Sequence, residues 1–258
     1  MDWATKRRLK YLIIILGFLI GLGLYFIIPI LNKEPTCLDG KQNGQETGVD
    51  CGGACALICK DETSPLVVLW SRSFNVAYDL YSAVAYVENQ NVNAGIRRIS
   101  YKFRLYDGNN ILITERDGIT FIEPNGRTAI FEPGIKTGNR VPRRTSFTFT
   151  EEELFVRVGE QNKVQLFSKE PRIESEDTAP KVSAFIENTS SYPVIDIDVI
   201  AILYDEFGNA LTTSRTKLDM ISPNSRLPVF FSWPTPLEAP VRKIEVIPRF
   251  NPFQSVQQ

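Results

Sequence analysis

Between Tyr11 and Leu31 the chain runs for 21 residues without a charged side chain, and Lys6, Arg7, Arg8 and Lys10 stand directly before that run. A helix rises about 1.5 Å per residue, so the stretch spans roughly 30 Å, the thickness of a hydrocarbon core. Backbone polar groups in lipid must be satisfied internally, and a helix does that. A cleavable signal peptide has a shorter apolar core and ends at a small-x-small site. Neither feature is present, so the reading is an uncleaved signal anchor. Pro29 falls near the outer end, where a kink is tolerable. Only Lys33 follows closely, beside Glu34. The basic flank therefore leaves the N-terminus in the cytoplasm and everything after Leu31 exported. Gly17 and Gly21 form a G-x-x-x-G pair, with Gly23 after it. Glycine is common in membrane helices, so one pair does not establish a helix contact.

Charge narrows the function classes. Lys plus Arg is 29 and Asp plus Glu is 30, for a net charge of -1; the first ten residues carry +3, which leaves -4 for the rest. No cationic excess points to nucleic acid, and a mildly acidic exported part is not drawn to anionic headgroups. Histidine is absent, which removes Ser-His-Asp and Cys-His catalysis and any His-ligated metal.

All four cysteines, Cys37, Cys51, Cys55 and Cys59, lie in one short segment just beyond the apolar run. Clustered, even in number and exported, they read as two disulfides, with three pairings open. The segment has almost no apolar residues, and cross-links replace the missing core. A four-thiolate zinc site fits less well, because the spacings are unlike paired C-x-x-C knuckles. The loop also carries Asp39, Asn43, Glu46 and Asp50 among glycines. Hard oxygen ligands on a turning backbone suit Ca²⁺, but the spacing is not that of an EF-hand, and a solvated turn module is the better reading. No other cofactor is implied.

The string C-x-D-G-x-x-N-G-x-E-T-G-x-D-C-G-G-x-C-x-x-x-C, over about a tenth of the chain, resembles a short cysteine module of many exported and surface-anchored proteins. That resemblance brings no biochemical role with it.

From Ser64 onward, Val-, Ile-, Tyr- and Phe-rich runs alternate with Asn, Gly, Asp and Pro turns. Leu66–Trp70, Ala77–Glu88, Ile99–Tyr106, Ile111–Glu115, Thr145–Thr150 and Val164–Phe167 read as strands, with a helical turn possible only at Glu151–Leu154. The alternation suits half-buried antiparallel sheets. The region also repeats. Ala85-Tyr-Val-Glu-Asn89 recurs as Ala184-Phe-Ile-Glu-Asn188, Leu105-Tyr-Asp107 as Leu203-Tyr-Asp205, and Ile122-Glu-Pro-Asn125 as Ile221-Ser-Pro-Asn224. Beyond Phe131 the register is uncertain, with an extra loop expected around Gly134 to Arg144. Acidic, proline-bracketed Ser168–Pro180 reads as a linker.

The repeat carries a second resemblance. Phe103-Arg-Leu-Tyr-Asp107 matches the F-x-L-Y-D motif that names a family of bacterial and archaeal exported β domains; the second copy has Ala201-Ile-Leu-Tyr-Asp205 and departs at the Phe. The resemblance covers most of Val67 to Phe250, implies an immunoglobulin-like sandwich in an envelope or surface protein, and brings no catalytic residues. Read physically, Phe103 and Leu105 face a core, as does Leu203, while Tyr106 and Tyr204 point the other way. Asp107 and Asp205 open turns, where a carboxylate bonds turn amides.

The expected fold is mainly β. It comprises a cytoplasmic N-terminus (1–10), a transmembrane signal anchor (11–31), a cysteine-rich stalk module (32–64), a first sandwich (65–168), a linker (169–179), a second sandwich (180–250) and a tail (251–258). No nucleophile elbow, phosphate loop or dinucleotide fingerprint is present. Glu151 to Glu153 form a charge run, and Glu174, Glu176 and Asp177 belong to the linker, so no enzyme is indicated. The sequon Asn188-Thr-Ser190 reads as a turn. Three functions compete. The first is a membrane-anchored structural or interaction protein that binds another envelope component through an exposed apolar face or edge strand. The second is a calcium- or glycan-binding module, which needs convergent carboxylates or an aromatic-lined groove. The third is an enzyme with an unrecognised site. The first is preferred.

Overall fold

The computed structural model describes residues 3–31, 36–159 and 166–254. They fall into two compact units, Met1–Cys55 and Ala56–Gln258. The start of the stalk module, Lys33 and Glu34 included, part of the Val164–Phe167 strand and the end of the tail lie outside the described residues.

In the first unit, Trp3–Leu31 form one helix, α1. Leu12, Ile13, Ile14, Leu16, Phe18 and Leu19 are all exposed, on every side of it. A helix this apolar all round is stable in water only when protein covers it. Arg7–Phe26 is long and apolar enough to cross a membrane and is uncovered. The space beside Gly17, Gly21 and Gly23 is open. The rest of the unit, from Thr36, is a run of turns.

The second unit is built of strands. They are β1 (Val67–Ala77), β2 (Leu80–Asn89), β3 (Ala94–Tyr106), β4 (Leu112–Ile122), β5 (Gly126–Lys136), β6 (Arg144–Phe149), β7 (Val156–Arg157), β8 (Leu166–Glu174), β9 (Lys181–Asn188), β10 (Val194–Tyr204), β11 (Ala210–Ile221), β12 (Ser225–Ser232) and β13 (Lys243–Arg249). All pairings are antiparallel. The sheets are β1-β2-β5, β4-β3-β6 with β7 beside β3, β12-β9-β8, and β11-β10-β13. The first two enclose a core that includes Ala85, Ile96, Phe103, Leu105, Ile130 and Phe147. The last two enclose another, with Ile186, Ile197, Val199, Leu203, Val229 and Phe231. The fold is thus two antiparallel β-sandwiches, as the strand patterning implied.

Their strands correspond in order and partner. β1 and β8, β5 and β12, and β6 and β13 begin at Val67 and Leu166, Gly126 and Ser225, and Arg144 and Lys243, each pair 99 positions apart. The spacing therefore persists beyond Phe131, and no loop is inserted between Gly134 and Arg144. The turns correspond as well. The Asn89 amide donates to the carbonyls of Ala94 and Glu123, and that of Asn188 to those of Tyr192, Ile221 and Ser222. Asn125 and Asn224 both take left-handed φ, 52° and 49°, a conformation asparagine tolerates better than most residues. Asn188 is fully buried, so its sequon is a structural tie.

Two expectations need correcting. The stretch read as a linker, 169–179, holds most of β8, which pairs with β9. Glu176 beyond it accepts the Val241 N–H at 2.5 Å. A sheet-edge strand with one wet face and a bulge at Glu170 and Pro171 looks like a linker in composition. Proline also sits in edge strands β5 (Pro133), β12 (Pro228) and β13 (Pro248), where a missing N–H is tolerated and foreign strands find no donor. Glu151–Leu154 is not helical. Instead the Glu151 carboxylate accepts from Ser100 N–H (3.1 Å) and Oγ–H (2.7 Å).

The larger departure concerns burial. β2 and β10 do not alternate between a buried and a wet face; Ser82 to Val87 and Val199 to Tyr204 are buried without interruption. A third apolar cluster explains it: Phe74, Val84, Tyr86 and Ala129 from the first sandwich meet Ile200, Ile202, Tyr204 and Ala210 from the second. Sheet β1-β2-β5 therefore packs on sheet β11-β10-β13, and the second unit is four layers deep.

Candidate functional site

The cysteine loop is closed covalently. Cys37 is bonded to Cys55, Cys51 and Cys59 are also disulfide-bonded, and no cysteine is free. Its acidic side chains serve the backbone. Asp50, itself at φ 56°, accepts the N–H groups of Asp39 (2.9 Å) and Gly40 (2.9 Å). Asp39 accepts from Asn43 Nδ2 (2.8 Å) and Lys41 N–H (3.0 Å), and these bonds, Asn43 first, hold its carboxyl below the usual range. Glu46 accepts the Asn43 N–H at 3.2 Å. A Ca²⁺ shell needs carboxylate oxygens aimed at one point, whereas these are aimed at separate amides. Glu46 also lies near Cys37 and Cys55, but disulfide sulfurs carry no thiolate for a soft metal.

Phe103, Leu105 and Leu203 are fully buried. Asp107 accepts the N–H groups of Asn109 (3.0 Å) and Ile111 (2.9 Å), and Asp205 those of Phe207 (2.9 Å) and Asn209 (2.7 Å). Arg140, 2.6 Å away, is the main cause of a lowered Asp107 pKa, and the Asn209 side chain of a lowered Asp205 pKa. The motif tyrosines, however, part company. Tyr106 lies on the wet face of β4-β3-β6 under the Arg144 guanidinium, 3.8 Å away. Tyr204 is buried at the junction of the sandwiches.

That junction opens into a cleft of about 480 Å³ whose lining includes Trp70, Tyr86, Arg127, Tyr204, Asp205, Glu206, Arg242, Lys243 and Glu245. A register shift between Val68 and Trp70 leaves Leu69 unpaired and sets Trp70 opposite Tyr86. Such bulges re-aim side chains, and here the indole lies 5.4 Å from the phenol ring. The Tyr86 hydroxyl donates to Glu245 Oε1 (2.6 Å) and the Tyr204 hydroxyl to Oε2 (2.9 Å). Burial, and then Glu245, push both phenols above their ordinary pKa, so they stay donors. Arg127 pairs with Glu88 at 2.9 Å, and Lys243 is 3.4 Å from Glu245. The Arg242 side chain has no partner among the described residues. Glu245, Asp205, Arg127 and Lys243 are committed internally, which leaves Arg242 and Glu206 beside an indole.

Arg249 locks the same junction. It is 6% exposed and reaches from β13 to the first sandwich, donating to the carbonyls of Ala129 (3.2 Å) and Phe121 (3.0 Å) and pairing with Glu123 at 3.3 Å. Arg72 crosses the other way, to the Ala210 carbonyl at 2.8 Å. Sequence reasoning missed Trp70, Tyr86, Arg127, Arg242, Lys243, Glu245 and Arg249. The available signal was the unbroken apolar run, Ala83-Val-Ala-Tyr-Val87 and Val199-Ile-Ala-Ile-Leu-Tyr204, which marks strands buried on both faces.

No family model matches the chain, and no curated protein does. Among solved structures it is similar to red sea bream transglutaminase, at 9% identity and TM-score 0.26 over 74% of this chain and 30% of that one. It is also similar to a β-glucuronidase from glycoside hydrolase family 2, at 8% identity and TM-score 0.22 over 84% and 29%. The chain spans about 30% of the length of either structure.

Proposed function

We propose that this chain is a single-pass, membrane-anchored structural or interaction protein of the cell envelope, with its N-terminus cytoplasmic and its sandwiches outside. The observation that carries the reading is a fully oxidised cysteine module in the same chain as an uncovered, membrane-length helix. Disulfides persist in oxidising compartments, and the basic residues before the helix favour the same orientation. The 99-residue spacing of three of the strand pairs supports tandem F-x-L-Y-D-type domains. No catalytic role is assigned. The test is protease added to intact, outer-layer-stripped cells, which should remove everything beyond about Leu31 and spare the N-terminus. Protection of Tyr101 or Asp205 would reverse the orientation.

A second reading, a glycan-binding module, is favoured by the cleft that sets Trp70 beside Arg242 and Glu206. Aromatic faces stack on sugar rings, and Arg and Lys recognise acidic substituents. Indole fluorescence should respond to an oligouronate, and Arg242→Ala with Lys243→Ala should remove the response. No response in the unmodified chain discards this reading and leaves the first intact.

A further inference from the structure

The net charge of -4 beyond the first ten residues averages over unlike ends of the sandwiches. The chain enters the first sandwich where the Ser64 N–H bonds the Asn91 side chain (2.8 Å) and the Leu66 N–H the Glu153 carboxylate (2.9 Å). From there β1 runs for 11 residues, about 36 Å at 3.3 Å per residue, to the opposite end. At that end the β1–β2 turn, the β3–β4 turn and the β5–β6 loop are bound into one surface. The Tyr78 hydroxyl reaches Asn139 (3.5 Å), and the Thr137 N–H donates to the Asp79 carbonyl (3.0 Å). Arg140 donates to the Leu112 carbonyl (2.9 Å) and pairs with Asp107, and Arg144 crosses to Asn110 (2.8 Å).

Counted with the residue on either side, these loops hold four cations, Lys136, Arg140, Arg143 and Arg144, against two carboxylates, Asp79 and Asp107. Arg140 is neutralised by Asp107. Arg144 meets neutral groups, the Asn110 amide and the Tyr106 ring. The side chains of Lys136 and Arg143 have no partner among the described residues. The corresponding loops of the second sandwich hold three cations against six carboxylates, so the basic end belongs to this sandwich and not to the fold. Between the cations stand apolar side chains left in solvent: Tyr78 is 89% exposed, Ile111 57% and Val141 52%. A soluble polyanion needs the cations alone. Phenolic and aliphatic tips among Arg and Lys suit a lipid surface, where the tips enter the headgroup layer and the cations meet anionic lipid.

We propose that this loop end docks on an anionic lipid surface. The surface is that of a second bilayer and not the one holding the anchor, because the loops lie a strand's length from the point where the chain enters the sandwich. The inference rests on the membrane-anchored reading, but that reading is tested by protease protection and this one by lipid binding, so either can fail alone.

The test holds the full chain in phosphatidylcholine nanodiscs and floats them with vesicles. Vesicles containing phosphatidylglycerol should carry the discs upward, and vesicles of phosphatidylcholine alone should not. Lys136→Gln with Arg143→Gln should weaken the binding about 25-fold, at about fivefold for each cation. Tyr78→Ser with Ile111→Ser should weaken it about tenfold. Phe207→Ser, at an equally exposed aromatic on the acidic end (81%), should leave it unchanged. Equal flotation with both kinds of vesicle would overturn the proposal, as would undiminished binding by the glutamine pair. Undiminished binding by the serine pair would reject lipid in favour of a polyanion, and loss through Phe207→Ser would move the contact to the other sandwich. A second measurement separates the two bilayers. All native cysteines are oxidised, so Val141→Cys can carry an environment-sensitive dye. In a disc that itself contains phosphatidylglycerol, its emission should shift only when vesicles are added; a shift in the disc alone would place the loops on their own bilayer and reject the proposal.

Discussion

Strands β3 and β10 hold the same place in their sandwiches and lead into the same Leu-Tyr-Asp, yet over their last six residues one is half wet and the other is buried throughout. On β3 the residues facing away from the core are Lys102, Arg104 and Tyr106; on β10 they are Ile200, Ile202 and Tyr204. Two cation-to-isoleucine differences are part of what separates the outer sheet from the inner layer. The converse holds for β2 and β9, where Val84 and Tyr86 lie inside and Ser183 and Phe185 face outward. The motif specifies a sandwich; the residues between its letters specify where that sandwich sits in a stack.

The comparison breaks most decisively if the layers prove independent. Leu105→Asp buries an unpaired carboxylate and should cost about 4 kcal/mol. Because the third apolar cluster joins the sandwiches, the second should melt with the first, reported by the fluorescence of buried Trp233. Survival of the Trp233 signal would mean two separate cooperative units, and Leu203→Asp should answer the same question from the other side. Arg249→Ala comes next. It strands Glu123 and two carbonyls in the junction, for a loss of about 3 kcal/mol in chemical denaturation. A loss under about 1 kcal/mol would show that water replaces the guanidinium and that the lock is dispensable.

The matched tyrosines give a finer test. Tyr204→Phe removes a donor from the half-buried Glu245 carboxylate and should cost about 1 kcal/mol. Tyr106→Phe, at the same motif position on a wet face, should stay within about 0.5 kcal/mol. Equal effects would deny that position in the stack governs the motif. The smallest effect at neutral pH is the alkaline one. Tyr86 and Tyr204 have folded pKa values raised above the ordinary 10.0, chiefly by burial. Their contribution is therefore fully present below pH 10 and is lost as pH rises toward the folded values. Unfolding free energy should hold steady to about pH 10 and then decline, less steeply in Tyr86→Phe.

Much of the architecture was legible because it is written locally. Charge-free length marked the helix, clustered cysteines the oxidised module, and period-two runs with Asn, Asp and Gly turns the sandwiches. Asp107 and Asp205 fill the turn roles their spacing suggested. What stayed hidden depends on partners distant in sequence. β8 looked like a linker because an edge strand with Pro171 and a wet face has little apolar pattern of its own. The cleft draws Trp70, Tyr86, Arg127 and Glu245 from strands up to 175 positions apart, and no local spacing links them. Only the unbroken apolar runs in β2 and β10 hinted that both faces were covered.

The buried Asn188 has a consequence for production in a eukaryotic secretory host. Its amide donates to three carbonyls and is out of reach once the second sandwich closes. Oligosaccharide transfer to Asn188-Thr-Ser190 would then compete against closure, and a modified Asn188 could not re-enter its place. Sugar occupancy at that residue would act as a clock, recording how long each molecule lingered open before its second sandwich formed.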